Sequence, residues 1–493
     1  MLQKFARFTP RTNRDRGICY DPRTPRPVAS SNLRHSTQPQ HIHEQLEKKP
    51  LAANTKLAQP QVSVVEKEVG AVPKQKTAQS FLRKLGPGLI TGASDDDPSG
   101  IATYSQIGAQ FGFRLLWLML FTYPLMAAIQ EVCARIGRVT GAGIAANMRK
   151  HHPRWLLYAI VFLLCTANIF NLGADIGAIG AAAQLLFGGV AGPYVIFFGV
   201  LSLLLQMYVR YTVYVKYLKW LTLVLFSYVV TAFVVHVPWR DALRASVIPS
   251  LSLSKSFFMA VTAGLGTTIS PYLFFWQASQ EAEDVRVNAR EHALRYAPWQ
   301  APKQFDRIRL DTYIGMGFSN LVAWFIILTT AATLHAHGIS DIQTSAQAAK
   351  ALEPLAGRFA FILFALGIIG TGLLAIPVLA GSAAYGVAET FRWRASLERK
   401  PRQAKKFYAV LGIATTIGLL IPFAGVDPIR ALFWSAVING VVAVPLMVVT
   451  MLMSSNSKVM GQFTIPAPLK IAGWISTVVM FLAAIGLFVT LRG

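Results

Sequence analysis

The chain has 493 residues, of which 53% are hydrophobic and only 14% are charged. This composition excludes a disordered protein and an ordinary soluble domain, and it is typical of a polytopic membrane protein. Lys and Arg exceed Asp and Glu by 24, but the position of these charges explains the excess without a nucleic-acid partner. Because Cys19, Cys133 and Cys165 form no CxxC pair, neither a disulfide framework nor a thiolate metal site is predicted.

The first segment, residues 1–80, is polar and shows no sustained apolar periodicity. We interpret it as a disordered, basic cytoplasmic tail. An organellar transit peptide is the alternative, because the first 35 residues are rich in Arg and poor in acids. The chemistry is therefore expected in residues 81–493, which we predict to form the transmembrane domain.

From Gly86 onward, apolar stretches long enough to span a bilayer recur between short polar breaks. The pattern predicts an all-α polytopic membrane protein without a large soluble domain. Eleven spans are predicted, at about 86–111, 114–136, 155–186, 193–209, 217–237, 256–280, 312–336, 358–389, 406–424, 429–452 and 471–491.

The distribution of positive charge predicts the orientation, because Lys and Arg near helix ends are retained on the cytoplasmic side. The tail through Lys84 carries 16 of these residues, and the alternate connections on the same side carry 22, whereas the opposite set carries eight. The N-terminus is therefore predicted to be cytoplasmic and, with an odd number of spans, the C-terminus outside. We expect a multi-pass protein of the plasma (inner) membrane.

The first span contains three consecutive acids, Asp95, Asp96 and Asp97, followed by Pro98-Ser99-Gly100. Charged side chains inside the hydrocarbon region are costly and mark functional sites. Since proline disfavours helix in the residue before it, the helix is predicted to break near Asp97 to Gly100. Freed carbonyls at membrane depth are tolerated where protein or water satisfies them, which favours a cation site. The alternative is an extracellular loop between two short helices.

A second interruption is predicted in the sixth span, where Ala263-Gly264-Leu265-Gly266-Thr267-Thr268-Ile269-Ser270-Pro271 again places small residues and a proline at mid-membrane. The first and sixth spans occupy matching positions if residues of about 86–237 and 256–452 form two inverted five-helix repeats. The eleventh helix, 471–491, is then an addition. A matched pair of broken helices indicates a transporter site at the interface between the repeats.

Several motifs resemble the Nramp family of divalent-metal transporters, and the resemblance covers most of residues 82–450. They are Gly86-Pro87-Gly88, Asp97-Pro98-Ser99-Gly100, Ala102-Thr103, Leu116-Trp117 and Ala134-Arg135-Ile136-Gly137-Arg138-Val139-Thr140-Gly141. The resemblance implies a LeuT-type fold in which the metal binds between the unwound parts of the first and sixth helices.

The motifs of the implied site are altered in this chain. In the family's Asp-Pro-Gly-Asn motif, Ser99 replaces the glycine and Gly100 the asparagine ligand. In its Met-Pro-His motif, Ser270 replaces the methionine and Tyr272 the histidine. A second family histidine is Gln277 here. The scaffold is thus expected to be retained around a rewritten site.

These replacements favour a hard ion. Thioether ligands favour transition metals, whereas hydroxyl, carboxylate and carbonyl oxygens suit Mg²⁺ or Mn²⁺. The loss of the bulky Met and Asn side chains also leaves room for the waters that Mg²⁺ retains. We therefore predict a hard-divalent transporter similar to the Nramp-related magnesium branch, with Asp97 as the central ligand. The further metal-site residues predicted are Ser270, Thr267, Thr268, Gly100, Asp96 and Asp95.

Asp95 and Asp96 either ligate the ion or concentrate cations at the entrance, unless they simply face solvent. Further polar residues in the spans are candidates for the ion pathway, although helix capping or bundle packing explains each about as well. These pathway candidates are Tyr272, Gln277, Glu281, Glu131, Asp175 and Asn439.

Proton coupling is a separate question. Histidine exchanges protons near neutral pH, and the sixth span has none. We therefore favour transport into the cytoplasm down the membrane potential without strict proton coupling, while a carboxylate relay through Asp175 or Glu131 stays open.

Two other functions compete with this interpretation. One is a proton-coupled Mn²⁺/Fe²⁺ symporter, and the other is a Na⁺-coupled LeuT-type transporter of a small organic substrate. An enzyme is disfavoured because the sequence contains no HExxH, P-loop or GxSxG motif. We expect no resident cofactor, and the expected partners are the transported divalent metal ion and the lipid bilayer.

Overall fold

The structure is a computed structural model that describes residues 91–492, except 93, 210–212, 214–220, 289 and 399. The predicted tail of residues 1–80 lies outside this part of the chain. Within it, every regular element is a helix, as the hydropathy pattern predicts.

The main helices are labelled in chain order. They are α1 (Pro98–Phe111), α2 (Leu116–Thr140), α3 (Ile144–His151), α4 (Arg154–Phe187), α5 (Ala191–Tyr208), α6 (Phe226–Val234), α7 (Trp239–Val247), α8 (Lys255–Thr268), α9 (Pro271–Val287), α10 (Ala301–Thr333), α11 (Ala360–Thr390), α12 (Lys405–Leu420), α13 (Pro428–Ser454) and α14 (Ala467–Arg492). Single helical turns lie at Gly112–Leu115, Leu221–Leu225, Pro298–Gln300, His335–His337, Ser345–Ala349, Lys350–Leu352, Glu353–Ala356, Gly357–Phe359, Pro401–Gln403, Ile421–Ala424 and Ser457–Met460.

Nine helical stretches among the described residues are long and apolar enough to cross a membrane. They account for ten of the eleven predicted spans, because α1 and α2 form one continuous stretch, Pro98–Thr140. The predicted span 217–237 lies partly outside the described residues, and its described part holds a shorter apolar helix, Leu223–Val234. The seventh span begins at Ala301 rather than near 312, since α10 extends into the charged sequence before it.

The polarity of the surface and of the interior of the bundle is the reverse of that in a soluble protein. Large apolar side chains such as Phe162 and Phe197 are more than half exposed on the helix surfaces, whereas Asp97 and Asp175 are buried between helices. Apolar groups gain from contact with lipid, and intramembrane polar groups are tolerated where other helices surround them. The chain is therefore a multi-pass membrane protein.

The first break lies at Asp96 and Asp97. Residues 91, 92, 94 and 95 are helical, the chain bends at Asp96, and α1 begins at Pro98. The predicted break is thus confirmed at Asp97 but wrong for Ser99 and Gly100, which belong to α1. Proline is well tolerated at the first helical position, where its missing N–H is not needed, so Pro98 starts a helix instead of prolonging the break.

The second break has the same design. Helix α8 ends at Thr268, Ile269 leaves the helical region at φ −113° and ψ 63°, and Ser270 is extended before α9 starts at Pro271. Both breaks therefore consist of two non-helical residues directly before a proline. This outcome confirms the predicted pair of interrupted helices.

Glycines bring both broken segments against neighbouring backbones. A Cβ at Gly92 would lie 2.3 Å from the Gly315 carbonyl oxygen of α10, and one at Gly266 would lie 2.1 Å from the Ala436 carbonyl oxygen of α13. A side chain at either position would force two backbones apart. The close approach fixes the first segment on α10 and α8 on α13.

Candidate metal-binding site

The Asp97 carboxylate is the centre of a hydrogen-bond network at the first break. Oδ1 accepts from the Ser99 hydroxyl at 2.6 Å and from the Gly100 backbone N–H at 2.8 Å. Oδ2 accepts from the Asn171 amide at 3.2 Å and from the Tyr272 hydroxyl at 3.3 Å. A carboxylate has about four acceptor positions, so these four donors satisfy the buried charge.

The donors to the two oxygens have different origins. Ser99 and Gly100 belong to the first turn of α1, and Asp97 is the N-cap residue of that helix. Asn171 comes from α4 and Tyr272 from α9. Oδ1 therefore holds Asp97 to its own helix, while Oδ2 ties it to two other helices.

The network continues into α13. The Ser435 hydroxyl donates to Asn171 Oδ1 at 2.8 Å, which orients the Asn171 amide so that its nitrogen meets Asp97. The Tyr272 hydroxyl also lies 3.2 Å from the Ser94 carbonyl oxygen. Elements from α4, α9 and α13 thus converge on the first break.

The hydroxyls at the second break point back into their own helix. Thr267 donates to the Ala263 carbonyl oxygen at 2.9 Å, and Thr268 to that of Gly264 at 3.1 Å. The Ser270 hydroxyl lies 2.7 Å from the Thr267 carbonyl oxygen. Each hydroxyl oxygen keeps lone pairs that a cation can use.

The two breaks lie against each other. A Cβ on Gly100 would be only 3.1 Å from the Thr267 Cγ2 methyl. Thr267 therefore presents its methyl group, rather than its hydroxyl, to Gly100. Because Gly100 has no side chain, its backbone N–H is its contact with Asp97.

The side chains of Asp95 and Asp96 contact a different helix from those that the Asp97 side chain contacts. The Ser319 hydroxyl of α10 lies 2.8 Å from Asp95 Oδ2 and 2.9 Å from Asp96 Oδ1, and both acids are buried. Asp95 Oδ1 has no hydrogen-bond partner in the described part of the chain. Over residues 91–492, outside the gaps, no group of three or more His, Cys, Asp or Glu side chains is arranged to hold a metal ion. The three consecutive acids thus do not form one carboxylate cage.

Three of the predicted pathway residues are buried polar groups in the bundle. Gln277 accepts from the Thr91 hydroxyl at 2.5 Å, which places this residue of α9 beside the segment before the first break. The carboxylate oxygens of Asp175 and both amide atoms of Asn439 are buried without a hydrogen-bond partner among the described side chains. Asp175 lies four residues after Asn171 on α4, and residues at this spacing share one helix face.

Two further pathway candidates, Glu131 and Glu281, form ion pairs. Glu131 pairs with Arg135 at 2.7 Å along α2. Glu281 pairs with Arg307 at 2.5 Å and lies 3.7 Å from Arg138. The Glu281 contacts join α2, α9 and α10, which is the bundle-packing role that the sequence left open beside a pathway role, whereas the Glu131 pair lies within α2.

A cavity of about 200 Å³ opens near the C-terminal half of α1 and the N-terminal ends of α8 and α13. It is lined in part by Ala102, Gln106, Met259 and Trp434, and it also includes the charged side chains of Asp341 and Arg430. Ala102 lies on α1 five residues beyond Asp97. The cavity is therefore on the side toward which α1 runs from the first break.

Three residues of the network are not among those predicted from the sequence: Asn171, Ser319 and Ser435. Each lies in an apolar span, and polar residues in such spans commonly bond between helices. Their partners are 74 to 264 positions away in the chain, so the sequence signals the residues without identifying the pairing.

The site can be compared with known proteins. Residues 88–490 match the model of the Nramp family, described as natural resistance-associated macrophage protein-like. A crystal structure of the Eremococcus coleocola manganese transporter in complex with an aromatic bis-isothiourea compound is 18% identical, with a TM-score of 0.63. It covers 86% of this chain and 90% of that chain.

Two other solved structures share the architecture. A mutant of the same Eremococcus coleocola transporter is 17% identical with a TM-score of 0.62, and covers 86% of this chain and 89% of its own. MhsT in complex with L-phenylalanine is 13% identical with a TM-score of 0.54, covering 80% of this chain and 98% of its own. These similarities confirm the predicted LeuT-type fold.

The family match spans most of the chain and includes both broken helices, with Asp97 and Pro98 at the first and Pro271 at the second. The scaffold surrounding them has the fold of the family's solved structures. The chain therefore belongs to the Nramp family of divalent-metal transporters.

Proposed function

We propose that this protein moves Mg²⁺ and Mn²⁺ into the cytoplasm by alternating access, without obligatory proton coupling. The ion binds at the first break with Asp97 as the central ligand. Oxygens of the second break, from Ser270, Thr267 and Thr268, and retained waters complete its coordination. The orientation inferred from charge places the N-terminus in the cytoplasm and the C-terminus outside.

The observation that carries this proposal is the chemistry around Asp97. Its hydrogen bonds come from two hydroxyls, one side-chain amide and one backbone N–H. The position of the family's soft thioether is taken by Ser270, whose oxygen suits a hard ion. A single carboxylate with neutral oxygens around it also favours an ion that keeps some of its water, as Mg²⁺ does.

The Asp341 and Arg430 cavity supports an entrance on the outer side. In the proposed orientation, α1 runs outward from the first break, so the cavity opens toward the outside. A hydrated ion would pass Gln106 and Ala102, which line the cavity, before reaching Asp97 on the same helix. The membrane potential then draws the cation inward.

Uncoupled transport is supported by the residues that replace the two family histidines. Tyr272 donates to Asp97 and Gln277 accepts from Thr91. Neither a phenol nor an amide exchanges a proton near neutral pH in its ordinary state.

One observation favours a second candidate, the proton-coupled Mn²⁺/Fe²⁺ symporter. The Asp175 carboxylate is buried near Asp97 and beside the Ser99 backbone N–H, and it lacks a hydrogen-bond partner among the described side chains. Such a carboxylate can carry a proton beside the ion.

The test is metal uptake into liposomes containing the purified protein, with Asp175→Asn compared with the wild type. The proposal expects Mg²⁺ uptake without a change of internal pH in both proteins. Proton entry that accompanies Mn²⁺ and disappears in Asp175→Asn would establish the second candidate instead.

A further inference from the structure

The Asp97 Oδ2 atom has two competing uses. In this structure it accepts from Asn171 and Tyr272, at 3.2 and 3.3 Å. A metal ion bound directly to this oxygen needs the same lone pairs. The ion and the two donors therefore cannot all engage Oδ2 fully.

The other oxygen offers no equivalent opening. Oδ1 accepts at 2.6 and 2.8 Å from Ser99 and Gly100 in the first turn of α1, and through this oxygen Asp97 forms the N-terminal cap of the helix. Displacing these donors would uncap the helix. An arriving ion displaces the hydrogen bonds at Oδ2 more readily, because they are longer and are made by side chains of other helices.

Each of the two side chains keeps a second partner when an ion displaces it from Oδ2. Asn171 remains bonded through Oδ1 to Ser435 at 2.8 Å, and the Tyr272 hydroxyl has the Ser94 carbonyl oxygen at 3.2 Å as its other partner. Both donors therefore have a defined resting position when the ion occupies Oδ2.

We propose that Tyr272 and Asn171 are positioning residues that take the place of the metal on Asp97 Oδ2 when the transporter is empty. This inference rests on the proposed function, because it requires that Asp97 binds the ion. Alternating access without coupling has two reorientation steps, one with the ion bound and one with the site empty. A buried carboxylate without donors is costly, so the donors stabilise Asp97 during the empty step.

The same bonds connect the occupancy of the site to the helices around it. With the site empty, Asp97 joins the first break to α4 and α9, and through Ser435 to α13. With the ion bound, Oδ2 is released from these helices. The helices that are joined through Asp97 therefore differ between the empty and the ion-bound transporter.

The experiment compares two fluxes in liposomes that contain Tyr272→Phe. Exchange of external radioactive Mn²⁺ for internal Mn²⁺ uses only the ion-bound reorientation, whereas net uptake also needs the empty one. We expect net uptake to fall about tenfold, the effect of losing a hydrogen bond to a charged group, and exchange to stay within about twofold. The dissociation constant for Mn²⁺ should fall, because one competitor of the ion is gone.

Two further variants keep the test independent of one substitution. Asn171→Ala should shift the ratio of exchange to net uptake in the same direction. Ser435→Ala should shift it less, because Asn171 itself is still present. Tyr228→Phe is the matched control: Tyr228 is a buried tyrosine of α6 outside the Asp97 network, and it should leave the ratio unchanged.

The outcomes separate this inference from the proposed function. Equal loss of net uptake and exchange, or no loss of either, in correctly assembled Tyr272→Phe overturns the inference. Asp97→Ala is measured in parallel, since its loss of both fluxes is required by the proposed function alone. Transport by Asp97→Ala at the wild-type rate would overturn the proposed function, whatever the Tyr272 variant does.

Discussion

The two broken helices share a backbone design but differ in how their polar groups are used. At the first break, the side chains of Asp95, Asp96 and Asp97 bond to residues on other helices. At the second, the hydroxyls of Thr268 and Ser270 bond back to carbonyls of their own segment. The first break therefore supplies the charge and the links between helices, and the second supplies neutral oxygens.

This difference explains why other positions of the two motifs can be altered while Asp97 is retained. Replacing a neutral residue at the second break changes the character of the ligand without leaving a buried charge unpaired. Replacing Asp97 removes the charge around which four donors are arranged. Two positions differ from the family motif at each break, Ser99 and Gly100 at the first and Ser270 and Tyr272 at the second, whereas Asp97 is kept.

The largest effect is expected for Asp97→Ala, which removes the charge of the first break. We predict at least a hundredfold loss of Mg²⁺ and Mn²⁺ uptake, since removing even a supporting group of a metal site costs about 10- to 100-fold. Uptake into liposomes measures it. Asp241→Ala, which removes an exposed acid of α7, is the control and should transport normally.

The links between helices at the first break can be tested through stability. Ser319→Ala removes the hydroxyl shared by Asp95 and Asp96. We predict a loss of about 1–3 kcal/mol, the usual cost of leaving a buried polar group unsatisfied, measured as a lower melting temperature of the purified protein. Ser319→Ala with Asp95→Asn should regain stability, because the amide can donate to Asp96.

A control for the Ser319 experiment is Ser227→Ala, in which a buried hydroxyl without a described hydrogen-bond partner is removed. This variant should melt close to the wild type. If Ser319→Ala melted no lower than Ser227→Ala, the bridge between the two acids would contribute no stability.

The second break is tested by Ser270→Met, which restores the thioether of the family motif. The ratio of Mn²⁺ to Mg²⁺ uptake should rise about tenfold, because sulfur favours the transition metal. Competition between the two ions in one uptake assay measures this ratio. Ser270→Ala removes the hydroxyl without adding sulfur, so a rise of the same size in that control would show that ligand softness is not the cause.

The smallest effect is expected from the electrostatic influence of the cavity on a cation that approaches the first break. Arg430 lines this cavity, and Arg430→Glu exchanges a repulsive for an attractive charge. At a separation of about 10 Å in water, this change of two unit charges acting on a divalent ion is worth about 1.7 kcal/mol without salt. Screening over one Debye length at about 0.1 M salt lowers it to about 0.6 kcal/mol, or about threefold in uptake at low metal concentration. The effect should vanish at high ionic strength, which screens exposed charges; a salt-independent change would contradict an electrostatic origin.

The sequence predicts the fold well because proline and hydropathy act locally. Pro98 and Pro271 indicate both breaks, and the apolar stretches indicate the helices. The predicted first break extends too far toward Gly100, since a proline at the start of a helix stabilises the turn that it begins. The position of an interruption is predictable, but its length depends on the cap that Asp97 forms.

The candidate site was predictable only in part. Asp97 stands out because it is an acid in an apolar span, whereas Asn171 and Ser435 became significant only when folding brought α4 and α13 to the first break. The separate directions of Asp95 and Asp97 could not be predicted either. Adjacent residues look equivalent in a sequence, but at a break in a helix they face different neighbours.

The most direct test of the proposed function is uptake of Mg²⁺, Mn²⁺ and Ca²⁺ by wild-type protein and Asp97→Ala in liposomes, while a second dye follows internal pH. An uncoupled transporter of hard divalent ions takes up Mg²⁺ and Mn²⁺ in a way that requires Asp97, follows the membrane potential and leaves internal pH unchanged. Uptake of Mn²⁺ alone together with proton entry, or Mg²⁺ uptake that persists in Asp97→Ala, would contradict it.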